Sequence, residues 1–220
     1  MSAERAQELH DKVAGSLEGT GLLTFGWFRT TGESPALLIG DVAGSIWPIF
    51  SASGYLSDGK LDPLNRWTED TVSPIAAKVE ARALYPFGER VWPFQQWAQA
   101  ATGMAQSPLG LLIHPEFGLW TALRAALVFD ERFEIPEKKA LDNPCDTCAE
   151  RPCLNTCPVS AFWENRYYVE SCRHHVASPE GEGCRANGCA ARRACPIGAQ
   201  HVDGAAQQRF HMRAFSPAKN

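Results

Sequence analysis

No stretch of this sequence reaches the roughly 18 consecutive apolar residues that a membrane-spanning helix needs, so no membrane partner is expected. Residues 1–18 are charged and polar, without the apolar centre of a secretory signal, and the chain is expected in a reducing cytoplasm. There is no Ser-His-Asp order, no phosphate-cradling glycine loop ending in Lys and no dinucleotide fingerprint. Those absences remove the commonest hydrolase, nucleotide-triphosphate and nicotinamide readings. Excess positive charge is missing too: the formal net charge is −4 over 220 residues. Residues 1–139 carry 12 basic and 17 acidic side chains, and residues 140–220 carry 9 and 8. Phosphate-backbone binding asks for a basic face, so nucleic acid is not expected as a partner. Cysteine is absent from the first 144 residues altogether.

All eight cysteines lie between 145 and 195: Cys145, Cys148, Cys153, Cys157, Cys172, Cys184, Cys189 and Cys195. They fall into two halves with the same ending, Cys157-Pro158-Val159-Ser160-Ala161 and Cys195-Pro196-Ile197-Gly198-Ala199. The first half reads Cys-x2-Cys-x4-Cys-x3-Cys-Pro; the second is looser, with eleven, four and five residues between its cysteines. A Cys-Pro closing a tight cysteine series is how two-cluster ferredoxins hold 4Fe-4S clusters, and there the Cys before Pro crosses to the other cluster. Carried onto this chain, Cys145, Cys148, Cys153 and Cys195 form one ligand set. Cys157, Cys172, Cys184 and Cys189 form the other, with no thiol left over. The expected cofactors are two 4Fe-4S clusters. A disulfide framework suits a reducing compartment poorly. Structural zinc on two sets of four thiolates is the competing reading. His174 and His175, with Arg173, Arg185, Arg192 and Arg193, read as hydrogen-bond donors and positive charge near anionic clusters, or as a solvated basic face. Glu180-Gly181-Glu182-Gly183 reads as a mobile surface loop.

Ahead of the cysteines, helices and strands alternate. The spacing predicts a helix over 3–17, ending at Gly19-Thr20-Gly21, and a strand over 22–28. A buried strand follows over 36–40, then a helix over 41–52 that Trp47-Pro48 must bend or break. Residues 64–81 read as one kinked helix or two, because of Pro74. Further elements are a strand over 82–85, a helix over 94–101 and a hairpin joining 109–113 to 119–129. Residues 130–144 read as a boundary, 205–215 as a closing helix and 216–220 as a frayed tail. The domains are therefore expected at 1–139, an α/β core, and 140–220, a ferredoxin-like module. Trp27, Trp47, Trp67, Trp92, Trp97 and Trp120 either line a cofactor cleft or fill an ordinary core.

The phrase Ser107-Pro108-Leu109-Gly110-Leu111-Leu112-Ile113-His114-Pro115-Glu116-Phe117-Gly118-Leu119-Trp120 resembles a segment of the cobalamin-dependent epoxyqueuosine reductases. In those enzymes two 4Fe-4S clusters follow some thirty residues later. It is also similar to a segment of the cobalamin-processing decyanase proteins. The resemblance implies an α+β fold: a nitroreductase-like three-layer core carrying a C-terminal ferredoxin-like two-cluster module. It implies a corrinoid (cobalamin) in the core, reduced by single electrons from the clusters, and a redox partner protein as donor. His114, Phe117, Gly118 and Trp120 become candidate cofactor-binding residues, although His114 before Pro115 also suits a turn in which it contacts backbone. The family's proton-donating aspartate has no counterpart: its position falls near Arg90, beside Glu89. Ala101-Thr102-Gly103-Met104 stands where the family has a glycine-rich phrase. The expected function is thus an iron–sulfur oxidoreductase acting on a corrinoid. The alternatives are a ferredoxin-type electron carrier without an organic cofactor and a zinc-stabilised interaction module.

Overall fold

A computed structural model describes residues 3–138, 141–163 and 166–216. The expected frayed tail lies outside the described residues, apart from Ser216. By its internal contacts the chain divides into two compact units. The first comprises Met1–Gly103 with Ala122–Leu141, and the second Met104–Thr121 with Asp142–Asn220. The passage at 141/142 falls in the charged, proline-containing stretch 130–144. The segment 104–121, which precedes that stretch in sequence, groups with the cysteines rather than with the rest of the N-terminal residues.

The first unit is a four-stranded sheet with helices. Helix α1 (Ala3–Leu17) buries Ala6, Leu9, Val13 and Leu17, whose spacing of three and four residues puts them on one face. The Thr20 hydroxyl donates to the Leu17 carbonyl at 2.6 Å and so ties down the helix end. Strands β1 (Leu23–Arg29) and β2 (Pro35–Val42) pair antiparallel, with a register irregularity between Thr24 and Gly26. The continuous apolar run Ala36–Ile39 is fully buried, as a central strand covered on both faces requires. Strand β6 (Thr121–Phe129) sits between β2 and β3 (Ala81–Leu84), giving the order β1-β2-β6-β3.

Two proline expectations resolve differently. The helix expected from residue 41 begins only at Trp47: α2 runs Trp47–Ala52, because Pro48 sits in its first turn, where a missing N–H costs nothing. Asp41 instead ends β2, buried and paired with Arg124 of β6 at 2.8 Å. Pro74, by contrast, lies inside a single helix, α3 (Pro63–Lys78), whose apolar face (Leu64, Trp67, Val72, Ile75) holds it in place. Helix α4 (Phe94–Thr102) packs on β1, with Phe28 and Trp97 stacked 5.2 Å apart. Trp27, Trp67 and Trp97 are buried in this core. The Arg90 guanidinium lies 3.8 Å over the Trp92 ring.

The expected hairpin between 109–113 and 119–129 does not form. Strand β5 (Leu112–Ile113) pairs with β4 (Ala105–Gln106), while β6 joins the larger sheet. The reason is the turn between them. His114 and Gly118 bond each other reciprocally through their backbones, at 2.8 and 2.9 Å, and close the loop on itself at a single bridge. The rest of the second unit is short elements: α5 (Pro152–Asn155), the hairpin β7 (Phe162–Trp163) with β8 (Arg166–Tyr167), α6 (Val169–Ala177), α7 (Glu182–Asn187), α8 (Ala190–Arg193) and α9 (Ala205–Phe215).

Candidate metal centres

Two cavities of the second unit are each lined by four cysteines. The first is walled by Cys145, Cys148, Cys153 and Cys195, together with Ser107, Pro108, Ile113, Leu119, Pro144, Arg151, Pro152, Pro196 and Ile197. The second is walled by Cys157, Cys172, Cys184 and Cys189, with Pro158, Val159, Phe162, His175, Val176, Ala190, Ala191 and Met212. The two cavities are similarly small, about 20 Å³ each. Each Cys-Pro ending delivers its cysteine to the cavity that holds the other half's cysteines. All eight thiols are free.

Local sequence explains how the thiols are presented. The Asn143 side chain accepts the Cys145 amide at 3.1 Å and donates to Asp146 at 2.9 Å, which opens the first loop. Arg151, held at a left-handed φ of 41°, turns the chain into α5, whose Pro152 suits a first-turn position and whose Cys153 is buried. The four residues between Cys148 and Cys153 are spent on this turn. On the far side, Gly198 (φ 71°) and Gly118 (φ 57°) pack backbone to backbone. A Cβ on Gly118 would stand 1.9 Å from the Ile197 carbonyl oxygen, and one on Gly198 would stand 2.4 Å from the Phe117 carbonyl carbon. The 114–118 turn is thereby seated on the loop that follows Cys195.

Burial pushes the thiols of Cys145, Cys153, Cys184, Cys189 and Cys195 up. Opposing this more weakly, the nearby backbone amides of Leu154 at Cys153, Ala190 at Cys184, Ala191 and Arg192 at Cys189, and Ile197 at Cys195 pull the thiols down. The Ala161 amide donates to Cys157 Sγ at 3.3 Å. Burial and a hydrogen bond to Cys172 push the Tyr167 phenol up. Burial is the larger effect at those five thiols, so the fold by itself favours the neutral thiol over the thiolate that ligates metal. Among the described residues, no group of three or more His, Cys, Asp or Glu is arranged to hold a single metal ion. Two buried side-chain polar atoms lack a partner among the described residues, Ser107 Oγ and Trp120 Nε1.

The four candidate cofactor-binding residues gather around the 114–118 turn. His114 Nδ1 accepts the amides of Glu116 and Phe117 at 3.1 and 3.2 Å, so one ring nitrogen is committed to the turn. Burial lowers the His114 pKa, partly offset by Glu116. Phe117 packs between the His114 and His201 rings, 5.0 and 4.9 Å away. Gly118 makes the close approach just described, and Trp120 is buried with the Arg192 guanidinium 4.2 Å from its ring.

Of the basic residues around the cysteines, only His175 and Arg151 line a cavity. Arg192 donates to the Leu119 carbonyl at 2.7 and 3.1 Å, and Arg185 ties the Val176 and Ser178 carbonyls to Glu182. Arg193 donates to the Asn187 carbonyl. Arg185, Arg192 and Arg193 thus bond backbone carbonyls, and the charge of Arg193 also pulls the Cys184 thiol down against its burial. The expected mobile loop at 180–183 is instead a short helical turn running into α7, with Gly181 buried so closely that a Cβ would stand 2.0 Å from the His175 carbonyl. Ser107 and Pro108, forty residues from the nearest cysteine, went unrecognised as cavity walls; the signal was their continuity with the apolar 109–113 run.

No protein-family model and no curated protein matches the chain. Solved structures do. An epoxyqueuosine reductase in complex with an epoxyqueuosine-modified tRNA-Tyr stem loop superposes with a TM-score of 0.57 and 13% identity, covering 91% of this chain and 67% of that one. Epoxyqueuosine reductase from Bacillus subtilis gives 0.55 and 13%, covering 92% and 68%. The B12-trafficking protein CblC from C. elegans, a human MMACHC homologue, gives 0.51 and 13%, covering 99% and 98%. At these identities the likeness is one of fold, mixed helix and sheet. One expectation is corrected by it. Nucleic acid was excluded on net charge, yet a protein of this fold is solved with a tRNA stem loop. A charge of −4 averages a whole chain, whereas phosphate contacts need only a local basic surface. No helix among the described residues is long and apolar enough to cross a membrane.

Proposed function

We propose that the chain is a redox protein in which two 4Fe-4S clusters feed single electrons to a corrinoid held by a nitroreductase-like N-terminal core. One observation carries the reading: eight thiols divide between two similar cavities, four and four. The sets match those that the crossed Cys-Pro pattern assigns. Backbone amides aimed at the sulfurs and a buried, unpartnered hydroxyl in one cavity wall suit an anionic, sulfur-rich guest. Structural zinc, which also takes four thiolates, is the competing reading.

Cys145, Cys148, Cys153 and Cys195 would hold one cluster and Cys157, Cys172, Cys184 and Cys189 the other. The clusters supply one-electron transfer at low potential. The protein's own part is to exclude water with Ile113, Leu119, Phe162 and the five prolines of the walls. The Ala161 amide donates to Cys157 Sγ. Val159 and His175 line both the second cavity and an open surface basin with Glu170, Ser171, His174, Ser178 and Glu180. That basin is where a donor protein would come nearest the second cluster.

The corrinoid half leans on the shared fold of the epoxyqueuosine reductase and CblC structures and on the 107–120 phrase. Addition of cob(II)alamin to the reduced, cluster-loaded protein tests it. Binding with a change in the corrinoid spectrum is expected, and an unchanged spectrum would remove the corrinoid from the account. The second reading, an electron carrier without an organic cofactor, is favoured by Trp27, Trp67 and Trp97, which fill the core. An iron-loaded protein that ignores cob(II)alamin would establish it.

A further inference from the structure

Ser107, a residue in the wall of the first cavity, carries a polar atom that the fold leaves unused. Ser107 is 6% exposed. Its backbone is fully engaged: the amide donates to the Leu111 carbonyl at 2.8 Å, and its carbonyl accepts the Gly110 amide at 2.9 Å. The hydroxyl has no partner among the described residues. Around it the wall is mostly apolar, formed by Pro108, Ile113, Leu119, Pro144, Pro152 and Ile197, and the other groups present are the four thiols and Arg151. A buried hydroxyl without a partner costs about 1–3 kcal/mol, and alanine would avoid that cost at nearly the same volume. A hydroxyl kept in such a place needs an acceptor that arrives with the guest.

We infer that Ser107 is a hydrogen-bond donor to the cluster bound by Cys145, Cys148, Cys153 and Cys195, through one of that cluster's sulfurs. The inference rests on the cluster reading given above. Negative charge on the cluster sulfurs grows when the cluster gains an electron, so a donor stabilises the reduced state more than the oxidised one. Ser107 therefore raises the midpoint potential of this cluster and leaves the other alone, since the second cavity contains no such hydroxyl among its walls. The two clusters are thereby set apart in potential by a residue outside the cysteine run. Ser107 acts on the cluster by positioning a proton; it transfers none.

The test is a dithionite redox titration of the anaerobically loaded full chain, followed by EPR, on wild type, Ser107→Ala and Ser107→Thr. Ser107→Ala is expected to shift one midpoint potential to more negative values, corresponding to on the order of tenfold in the reduction equilibrium. The second potential should stay put, and Ser107→Thr, which keeps the hydroxyl, should restore the first. The iron-free protein gives an independent sign. There Ser107→Ala should melt at or above wild type, because the unpartnered hydroxyl is gone, whereas in the loaded protein it should melt below. Two unshifted potentials in a variant carrying both clusters, or melting changes of the same sign in both states, would overturn the role of Ser107 and leave the cluster reading intact. Wild-type protein that takes up no iron would overturn both.

Discussion

In the first unit, Leu9, Val13, Leu37, Leu38, Ile39, Phe50 and Leu127 are fully buried or nearly so, on two helices and two neighbouring strands of one sheet. In the second, the buried cluster is Leu109, Ile113, Leu119, Ala161, Phe162 and Ala191 together with Cys153 and Cys195, and Cys145, Cys157, Cys172 and Cys189 pack against it. One unit is held by apolar side chains that meet each other. The other is held by apolar side chains that meet thiols, and its helices are mostly shorter than three turns. A unit whose core atoms are metal ligands couples its folding to what they bind. The difference teaches that one chain can set a scaffold built on apolar contacts beside a unit whose core is lined with thiols.

The comparison breaks most readily at the cysteines. Cys195→Ala should halve the iron from about eight to about four per chain and expose the amides of 142–216 to hydrogen exchange, while 23–42 stay protected. Equal deprotection of both units would show that they do not differ as argued. The converse cut is Asp41→Ala, which takes the carboxylate from the half-buried Arg124 guanidinium on the neighbouring strand. About 3–5 kcal/mol of stability should be lost from the first unit by denaturant titration, with iron content unchanged. A loss below about 1 kcal/mol would mean that the pair is solvated in solution.

A smaller effect is expected at the seat of the turn. Gly118→Ala combines a left-handed φ with a Cβ driven at the Ile197 carbonyl. More than about 1 kcal/mol should be lost, and iron uptake by the set containing Cys195 should slow. Unaltered uptake would detach the turn from that cluster. The smallest effect is pH-dependent. Burial depresses the His114 pKa in the folded state, so the neutral ring is the one the fold prefers. Its contribution is present above the unfolded value of about 6.5 and is lost as pH falls below it through the folded value. The second unit should therefore loosen in mild acid. His114→Asn, whose amide oxygen can take the place of Nδ1 but does not titrate, should flatten that dependence in a pH series of melting curves.

How much was legible in the sequence follows the same division. Periodicity located α1, α3, α4, α9 and the strands of the first unit to within a few residues, because those elements bury their faces locally. The fate of 109–129 was not legible. Apolar runs on either side of a five-residue turn look like a hairpin, and only the closure of the turn by His114 and Gly118 sends β5 and β6 to different partners. The four-and-four grouping of the thiols came from the crossed Cys-Pro pattern of two-cluster ferredoxins, from which the spacings of both halves depart. Ser107 could not be found that way, since nothing local distinguishes a serine facing a cavity from one in a surface turn. The charge argument against nucleic acid failed for a related reason: a sum over residues carries no position.

The account stands on what fills the two thiol-lined cavities, and the direct measurement is iron and acid-labile sulfide per chain in anaerobically purified protein. About eight of each are expected, falling to about four of each in Cys195→Ala and in Cys172→Ala alike. Colourless protein with two zinc ions, or with eight thiols that react freely and no metal, would contradict it.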